Sequence, residues 1–165
     1  TQKWAEVLST AGDRPEPRTD CVIVLHASNI YFFGECNGSR RFNDLCEYSV
    51  ELKRWHRVEA TGSALSQRFG HSGVVHTASN RLIVFGGWDG RDTLIDLYEF
   101  DFVTKQWKKM ETHGATPSHR YRHTAVIVGA NMSIFGGVDK TRSRFNDLRR
   151  LDLRKLVNVQ HMRKR

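Results

Sequence analysis

A single pattern recurs along this chain with a period near 51 residues, and no other feature restricts its possible folds as strongly. Arg68-Phe69-Gly70-His71-Ser72 is matched by Arg120-Tyr121-Arg122-His123-Thr124 and, in more diverged form, by Arg18-Thr19-Asp20-Cys21. A hydrophobic run with a turn asparagine follows each time, at Asn29, Asn80 and Asn131. The runs end in Phe33-Gly34-Glu35, Phe85-Gly86-Gly87 and Phe135-Gly136-Gly137, and a short spacer leads to Asn43-Asp44-Leu45, Ile95-Asp96-Leu97 and Asn146-Asp147-Leu148. Trp4, Trp55 and Trp107 close the units. Such phasing marks a repeat architecture in which each copy is one supersecondary unit, too small to bury its own faces and covered by its neighbours.

The second copy is the clearest. Gly73-Val74-Val75-His76 and Arg81-Leu82-Ile83-Val84-Phe85 are short, β-branched runs separated by turn residues, and they read as two strands. Leu97-Tyr98-Glu99-Phe100-Asp101-Phe102 alternates with period two as a third strand does, and Lys105-Gln106-Trp107-Lys108-Lys109-Met110 supplies a fourth across the turn Val103-Thr104. Four antiparallel strands per repeat, stacked radially, make the blades of a β-propeller. The expected class is therefore all-β, with a tryptophan on each outer strand filling the space between blades.

These residues resemble the kelch-repeat family, whose motif is a diglycine after a hydrophobic strand followed by a spaced aromatic and a tryptophan. Phe85-Gly86-Gly87, Tyr98 and Trp107 fit it best, and Gly34, Gly136 and Gly137 with Trp4 and Trp55 carry it into the other copies. The long repeats, with Arg-x-x-His before the first strand, look most like the branch of Rab9-effector and leucine-zipper-like-regulator kelch proteins. The resemblance implies about three four-stranded blades of a partial propeller. Its expected parts are an outer strand of a preceding or exchanged blade over residues 1–10, blades over 18–58 and 68–110, an incomplete blade over 120–153, and a basic tail over 154–165. Three departures stand out: Glu35 for the second glycine, Cys21 for the motif histidine, and Asn158 where a further phased tryptophan is due. Propellers carry four to eight blades, so the reading expects a fragment of a longer propeller, an oligomer or a subunit of a larger assembly.

Composition bounds the partners. No apolar run approaches the eighteen or so residues of a membrane helix, so no membrane span is expected. Cys21, Cys36 and Cys46 form no CxxC pair and read as free thiols of a reducing compartment, expected to be the cytoplasm or nucleus. Lys and Arg number 26 against 18 Asp and Glu, a net +8. That excess lies in residues 140–165, a basic end suited to an acidic surface or to weak RNA contact.

No phosphate loop, zinc-protease helix motif or nucleophile elbow is present, and no tyrosine, histidine and cysteine constellation of the kelch copper oxidases appears. Neither catalysis, a cofactor nor a bound metal is expected. His119 and His123 have ligand-like spacing, but an extended chain does not bring both rings to one face. His71 and His123 recur in phase and are read as structural. The expected function is protein–protein interaction as an adaptor or scaffold. In blade topology the lead-in to the first strand and the loop between the second and third strands share one end of the propeller. That end would carry Arg18, Arg68 and Arg120 together with Arg40, Arg41, Trp88, Arg91, Lys140, Arg142 and Arg144, residue types enriched at binding hot spots and matched to carboxylates. The phased arginines fit equally a structural hydrogen bond repeated in each blade. Two alternatives remain beside an acidic protein segment as partner: substrate recognition for a ubiquitin ligase, which needs a BTB-like region elsewhere, and a structural or RNA-associated role.

Overall fold

A computed structural model describes residues 1–7 and 11–156. Three sheets follow one another along the chain. Blade 1 holds β1 (Ala11–Gly12), β2 (Val22–His26), β3 (Asn29–Cys36), β4 (Arg41–Ser49) and β5 (Arg54–Arg57), ordered β1-β5-β4-β3-β2. Blade 2 repeats this with β6 (Thr61–Gly62), β7 (Ser72–His76), β8 (Arg81–Trp88), β9 (Thr93–Asp101) and β10 (Gln106–Lys109), ordered β6-β10-β9-β8-β7. Blade 3 has β11 (Thr124–Val128), β12 (Asn131–Phe135) and β13 (Leu148–Asp152). The innermost strands β2, β7 and β11 touch in succession, so the sheets stack side by side as in a partial propeller.

Local chemistry sets the hairpins. Asn80 closes the β7–β8 turn in the left-handed region at φ 52°, a conformation that asparagine tolerates. The diglycine breaks the β8–β9 register between Phe85 and Gly87. At Gly86, with φ 63°, an added Cβ would lie 2.7 Å from the carbonyl oxygen of Arg120 in the next blade, so only glycine allows that approach.

Period-two alternation then distributes the core. Phe33, Leu45, Leu82, Val84, Phe100 and Trp107 pack between blades 1 and 2. Ile83, Phe85, Leu97, Met132, Ile134 and Leu153 pack between blades 2 and 3. Strand β8 is covered on both faces, which is why Leu82, Ile83 and Val84 have no exposure at all.

The ends differ from expectation. Residues 1–7 form no strand and Trp4 is fully exposed, so the expected outer strand is not formed over that segment; residues 8–10 lie outside the described residues. The outer edges of β4 and β9 are already taken by β5 and β10, and the segment pairs with no other strand. Trp55 is only half-buried, against Phe32 and Tyr48 of its own blade, whereas Trp107 is buried against Phe33 of blade 1. Blade 1 has no described blade on the side that Trp55 faces. After β13 the chain takes a helical turn at residues 154–156, with Leu156 packed on the core. Most of the expected basic tail, with Asn158, lies outside the described residues.

Candidate functional site

The phased arginines form one device built three times. Arg68 donates from Nη1 and Nη2 to the two carboxylate oxygens of Asp96 at 2.6 and 2.9 Å, and from Nη1 to the Gly86 carbonyl at 3.0 Å. Arg120 does the same with Asp147 at 2.7 and 3.0 Å and with the Gly136 carbonyl at 2.8 Å. Arg18 repeats it with Asp44 at 2.7 and 3.1 Å and with the Gly34 carbonyl at 3.1 Å. Each Nε donates to a carbonyl two residues back, at Glu16, Ser66 and Ser118. The fork geometry of a guanidinium suits this bidentate grip.

The backbones of Arg68 and Arg120 face the other way, toward the preceding blade. Glu35 N–H donates to the Arg68 carbonyl at 3.1 Å and Gly87 N–H to that of Arg120 at 2.9 Å. Arg68 and Arg120 therefore pin one blade to the next while clamping the third strand of their own, and Arg18 clamps that of blade 1. This corrects the expectation that Arg18, Arg68 and Arg120 meet a partner. Arg68 and Arg120 are wholly buried and the Arg18 side chain is 6% exposed, because every donor direction is turned into the protein. Hydrogen bonds from Arg120 and Arg149 hold the Asp147 carboxyl well below the ordinary range.

The loop residues are arranged differently. Arg40, Arg91, Lys140, Arg142 and Arg144 are exposed, while Arg41 and Trp88 are half-buried. Neighbouring loops touch: the Arg41 guanidinium lies against Gly90 of blade 2, and Lys140 of blade 3 pairs with Asp92 of blade 2 at 2.9 Å. Arg40 pairs with Glu16 at 3.3 Å. Asp89 and Asp139 are spent on their own loops, accepting backbone N–H groups from Arg91 and Asp92 and from Thr141 and Ser143. Among the described residues no ion pair engages Arg91, Arg142 or Arg144.

Beside these arginines sits a half-buried aromatic cluster that sequence reasoning only partly anticipated. Phe69 meets Tyr121 edge-on at 5.9 Å, Trp88 lies 5.7 Å from Tyr121, and the Arg122 guanidinium stands 5.7 Å from the Tyr121 ring. Backbone bonds fix it: Phe69 and Trp88 form an isolated bridge, as do Tyr121 and Val138, and Arg122 N–H donates to the Gly70 carbonyl at 2.6 Å. Phe69, Tyr121 and Arg122 were overlooked, although Phe69 and Tyr121 occupy the same phase, one residue after the buried arginine.

The two histidines with ligand-like spacing are engaged singly. His123 is buried with Nε2 2.8 Å from the Ser72 hydroxyl of blade 2, and His119 Nδ1 lies 2.8 Å from the Thr93 carbonyl oxygen, so the two rings are used separately. No group of three or more His, Cys, Asp or Glu able to hold a metal occurs among the described residues. Cys21, Cys36 and Cys46 are free thiols. No helix of the described residues is long and apolar enough to cross a membrane.

Comparison with known proteins decides the family. The family model described as the KLHDC2/KLHL20/DRC7 Kelch-repeats domain matches residues 44–163. The chain belongs to the kelch-repeat family. It is 31% identical over 160 residues to the leucine-zipper-like transcriptional regulator 1 homolog of Drosophila melanogaster, covering 93% of this chain and 16% of that protein. It is 37% identical over 113 residues to the Rab9 effector protein with kelch motifs of Mus musculus, covering 67% of this chain and 30% of that protein. Human host cell factor 2 is 33% identical over 146 residues, covering 77% and 18%. The matched parts of these three relatives thus amount to between 16% and 30% of their lengths.

The first kelch unit departs from the diglycine at a point with physical consequences. Glu35 keeps the left-handed backbone at φ 85°, is fully buried, and accepts the Gly70 N–H at 3.1 Å while its Oε1 lies 3.1 Å from His71 Nδ1. His71 has lost the partner that His123 keeps, because Val22 occupies the position of Ser72. Burial pushes the Glu35 carboxyl up to about 8, against the Gly70 N–H and the Arg122 and Arg18 charges, with Asp20 reinforcing the rise. Burial also lowers His71 to about 3, helped by Arg68 and His123. Burial thus favours the neutral form of both groups.

The two act in opposite directions. From 4.5 to 8 unfolding releases the Glu35 proton, so stability falls as pH rises; from 3 to 6.5 unfolding protonates His71, so stability rises with pH. The His71 contribution fades over the unit above 6.5, and beyond it only Glu35 of the two remains in play. Between pH 6.5 and 8 the wild type is expected to lose about 1.5 kcal/mol more stability than the Glu35→Gln chain. Urea midpoints across the window measure it, and equal profiles for the two chains would remove the neutral glutamic acid.

Proposed function

We propose that the chain is a non-catalytic protein-interaction module, an adaptor or scaffold, that docks an acidic protein segment on the loop face. The observation that carries this reading is the half-buried cluster of Phe69, Trp88 and Tyr121, with Arg122 against the Tyr121 ring, Arg144 bridged to Val138 beside Tyr121, and the exposed Arg91 and Arg142 in the loops that follow Trp88 and Val138. Rigid aromatics supply contact area at low entropic cost, and unpaired arginines supply carboxylate recognition and faster encounter. The acidic residues nearby are engaged by their own loops or by Lys140, which leaves the face a net acceptor of negative charge. Three free thiols favour a reducing compartment such as the cytoplasm. Substrate recognition for a ubiquitin ligase is one use of the same face within a larger protein. The RNA reading rests on residues 140–165, of which Arg163, Lys164 and Arg165 lie outside the described residues.

The test selects binders from a random peptide library on the wild type and measures them on an Arg40→Glu, Arg91→Glu, Arg142→Glu chain. All three side chains are exposed, so the melting temperature should change little. Acidic peptides should dominate the selection, bind about tenfold or more weakly to the triple variant, and lose affinity with salt. Tyr121→Ala should weaken them as well. Selected peptides that are neutral, or that bind wild type and triple variant alike, would move the interaction elsewhere on the blades.

A further inference from the structure

Gly70 joins a buried carboxyl of blade 1 to the loop face of blade 3. Its N–H donates to Glu35, 3.1 and 3.2 Å from the two carboxyl oxygens, and its carbonyl accepts the Arg122 N–H at 2.6 Å. Gly70 is buried with φ 63°, and an added Cβ would stand 3.1 Å from Arg122 N and 3.2 Å from Tyr121 Cδ2, so a side chain there would crowd both. Glu35 is therefore two hydrogen bonds from Arg122, an exposed residue whose guanidinium stands by the Tyr121 ring.

The backbone does not favour a glutamate at this position. Gly87 and Gly137 hold the same phase in blades 2 and 3 at φ 109° and 92°, and Glu35 adopts φ 85°, a region that disfavours side chains. Its partner across the sheet is the apolar Phe42. The charged and titratable groups that face its carboxyl are Arg18, Asp20 and Cys21 on the lead-in of blade 1, His71 of blade 2 at 3.1 Å, and Arg122 of blade 3. Burial raises the carboxyl and the Gly70 N–H lowers it; Asp20 raises it, and Arg122 and Arg18 lower it, to leave it at about 8. Burial holds His71 at about 3 and, with Glu35, raises the Cys21 thiol, so neither follows Glu35 through its titration. Strained backbone and displaced titration both concentrate at functional sites.

We propose, on the docking reading above, that Glu35 couples the loop face to pH: an acidic segment that engages Arg122 is bound together with a proton on the Glu35 carboxyl. A ligand carboxylate on the Arg122 guanidinium cancels the positive charge that favours ionised Glu35, and its own negative charge opposes that ionisation further. The carboxyl then holds its proton to higher pH. By linkage the reverse holds equally, and an ionised Glu35 weakens the anion site by the same factor. Affinity is therefore level while Glu35 is protonated. It falls as pH rises through about 8, until the carboxyl is ionised with and without ligand. Blades 2 and 3, with Gly87 and Gly137 at this position, lack the device.

Isothermal titration calorimetry tests the coupling with an acidic peptide from the library selection, made with blocked termini and without histidine, cysteine or lysine. The wild type should take up protons at pH 8, read as a binding enthalpy that differs between HEPES and Tris buffers. It should also bind about fivefold more weakly at pH 9.5 than at pH 6.5. Glu35→Gln and Glu35→Gly, the second placing the glycine of the other two blades on this backbone, should bind at pH 6.5 like the wild type and lose both the uptake and the fall. Arg122→Gln, which removes the charge that ligand and Glu35 share, should weaken binding at pH 6.5 and shrink the pH dependence. Proton uptake that persists in both Glu35 variants, or a wild-type affinity equal at the two pH values, would overturn the coupling. A selection that yields no acidic peptide would overturn the docking reading, and the coupling with it.

Discussion

Trp107→Ala should lower the unfolding free energy by about 3–5 kcal/mol, the usual cost of deleting a large buried aromatic. The side chain is 7% exposed and sits between Phe33 of blade 1 and Phe100 of blade 2, so its removal opens a cavity at the boundary that joins the two sheets. Backbone neighbours on both sides limit collapse into the gap: β10 is held between β9 and β6. Trp55→Ala, at the same phase, should cost less than half as much, because Trp55 packs only within blade 1 and is half-exposed. Urea unfolding with an unchanged slope reads the difference in midpoint. Equal losses at the two tryptophans would contradict the packing asymmetry between the blade boundaries.

Arg68→Ala should cost a similar amount, about 3–5 kcal/mol, because it strands the Asp96 carboxylate beside a buried site. The guanidinium has no exposure, and it donates to Asp96, to the Gly86 carbonyl and to the Ser66 hydroxyl and carbonyl. Arg68→Lys should not rescue the loss fully, since an ammonium group lacks the planar fork that bridges both carboxylate oxygens. Asp96→Asn in combination with Arg68→Ala should be less damaging than the two single losses summed, as expected for partners in direct contact. An Arg68→Ala chain with a wild-type urea midpoint would mean that the clamp does not hold the blades. The acid side of the stability profile should show the same devices, because the Asp44 and Asp147 carboxyls are held low by arginine and lose their pairing only as pH falls below the ordinary carboxylate range.

Much of the blade plan was legible because β-strand chemistry is local. Period-two alternation in residues 97–102 and the β-branched run in residues 81–85 mark strands that fall within β9 and β8, continued only by Phe102, and Asn80 marks the turn that its left-handed backbone makes. The diglycine was legible as a close approach, though not what approaches it: Arg120 comes from a later repeat, 34 residues beyond Gly86. The loop arginines were singled out by residue type, whereas the cluster of Phe69, Tyr121 and Arg122 was not legible because it depends on how one blade's lead-in crosses the next.

What the sequence by itself determined is the repeat: its period, its strand content and the residues that recur in phase, since these follow from backbone propensity and from a pattern visible without neighbours. Only the tertiary structure decided what each recurring residue does. Arg18, Arg68 and Arg120 read as candidates for a partner until the structure turned their donors inward on Asp44, Asp96 and Asp147. Trp4, Trp55 and Trp107 read alike, yet one is free, one half-covered and one buried. The reason is that burial belongs to the blade boundary and not to the residue: a side chain on a sheet face is covered only where a second sheet stacks against it, and sequence phase states which face it occupies but not whether that second sheet is there.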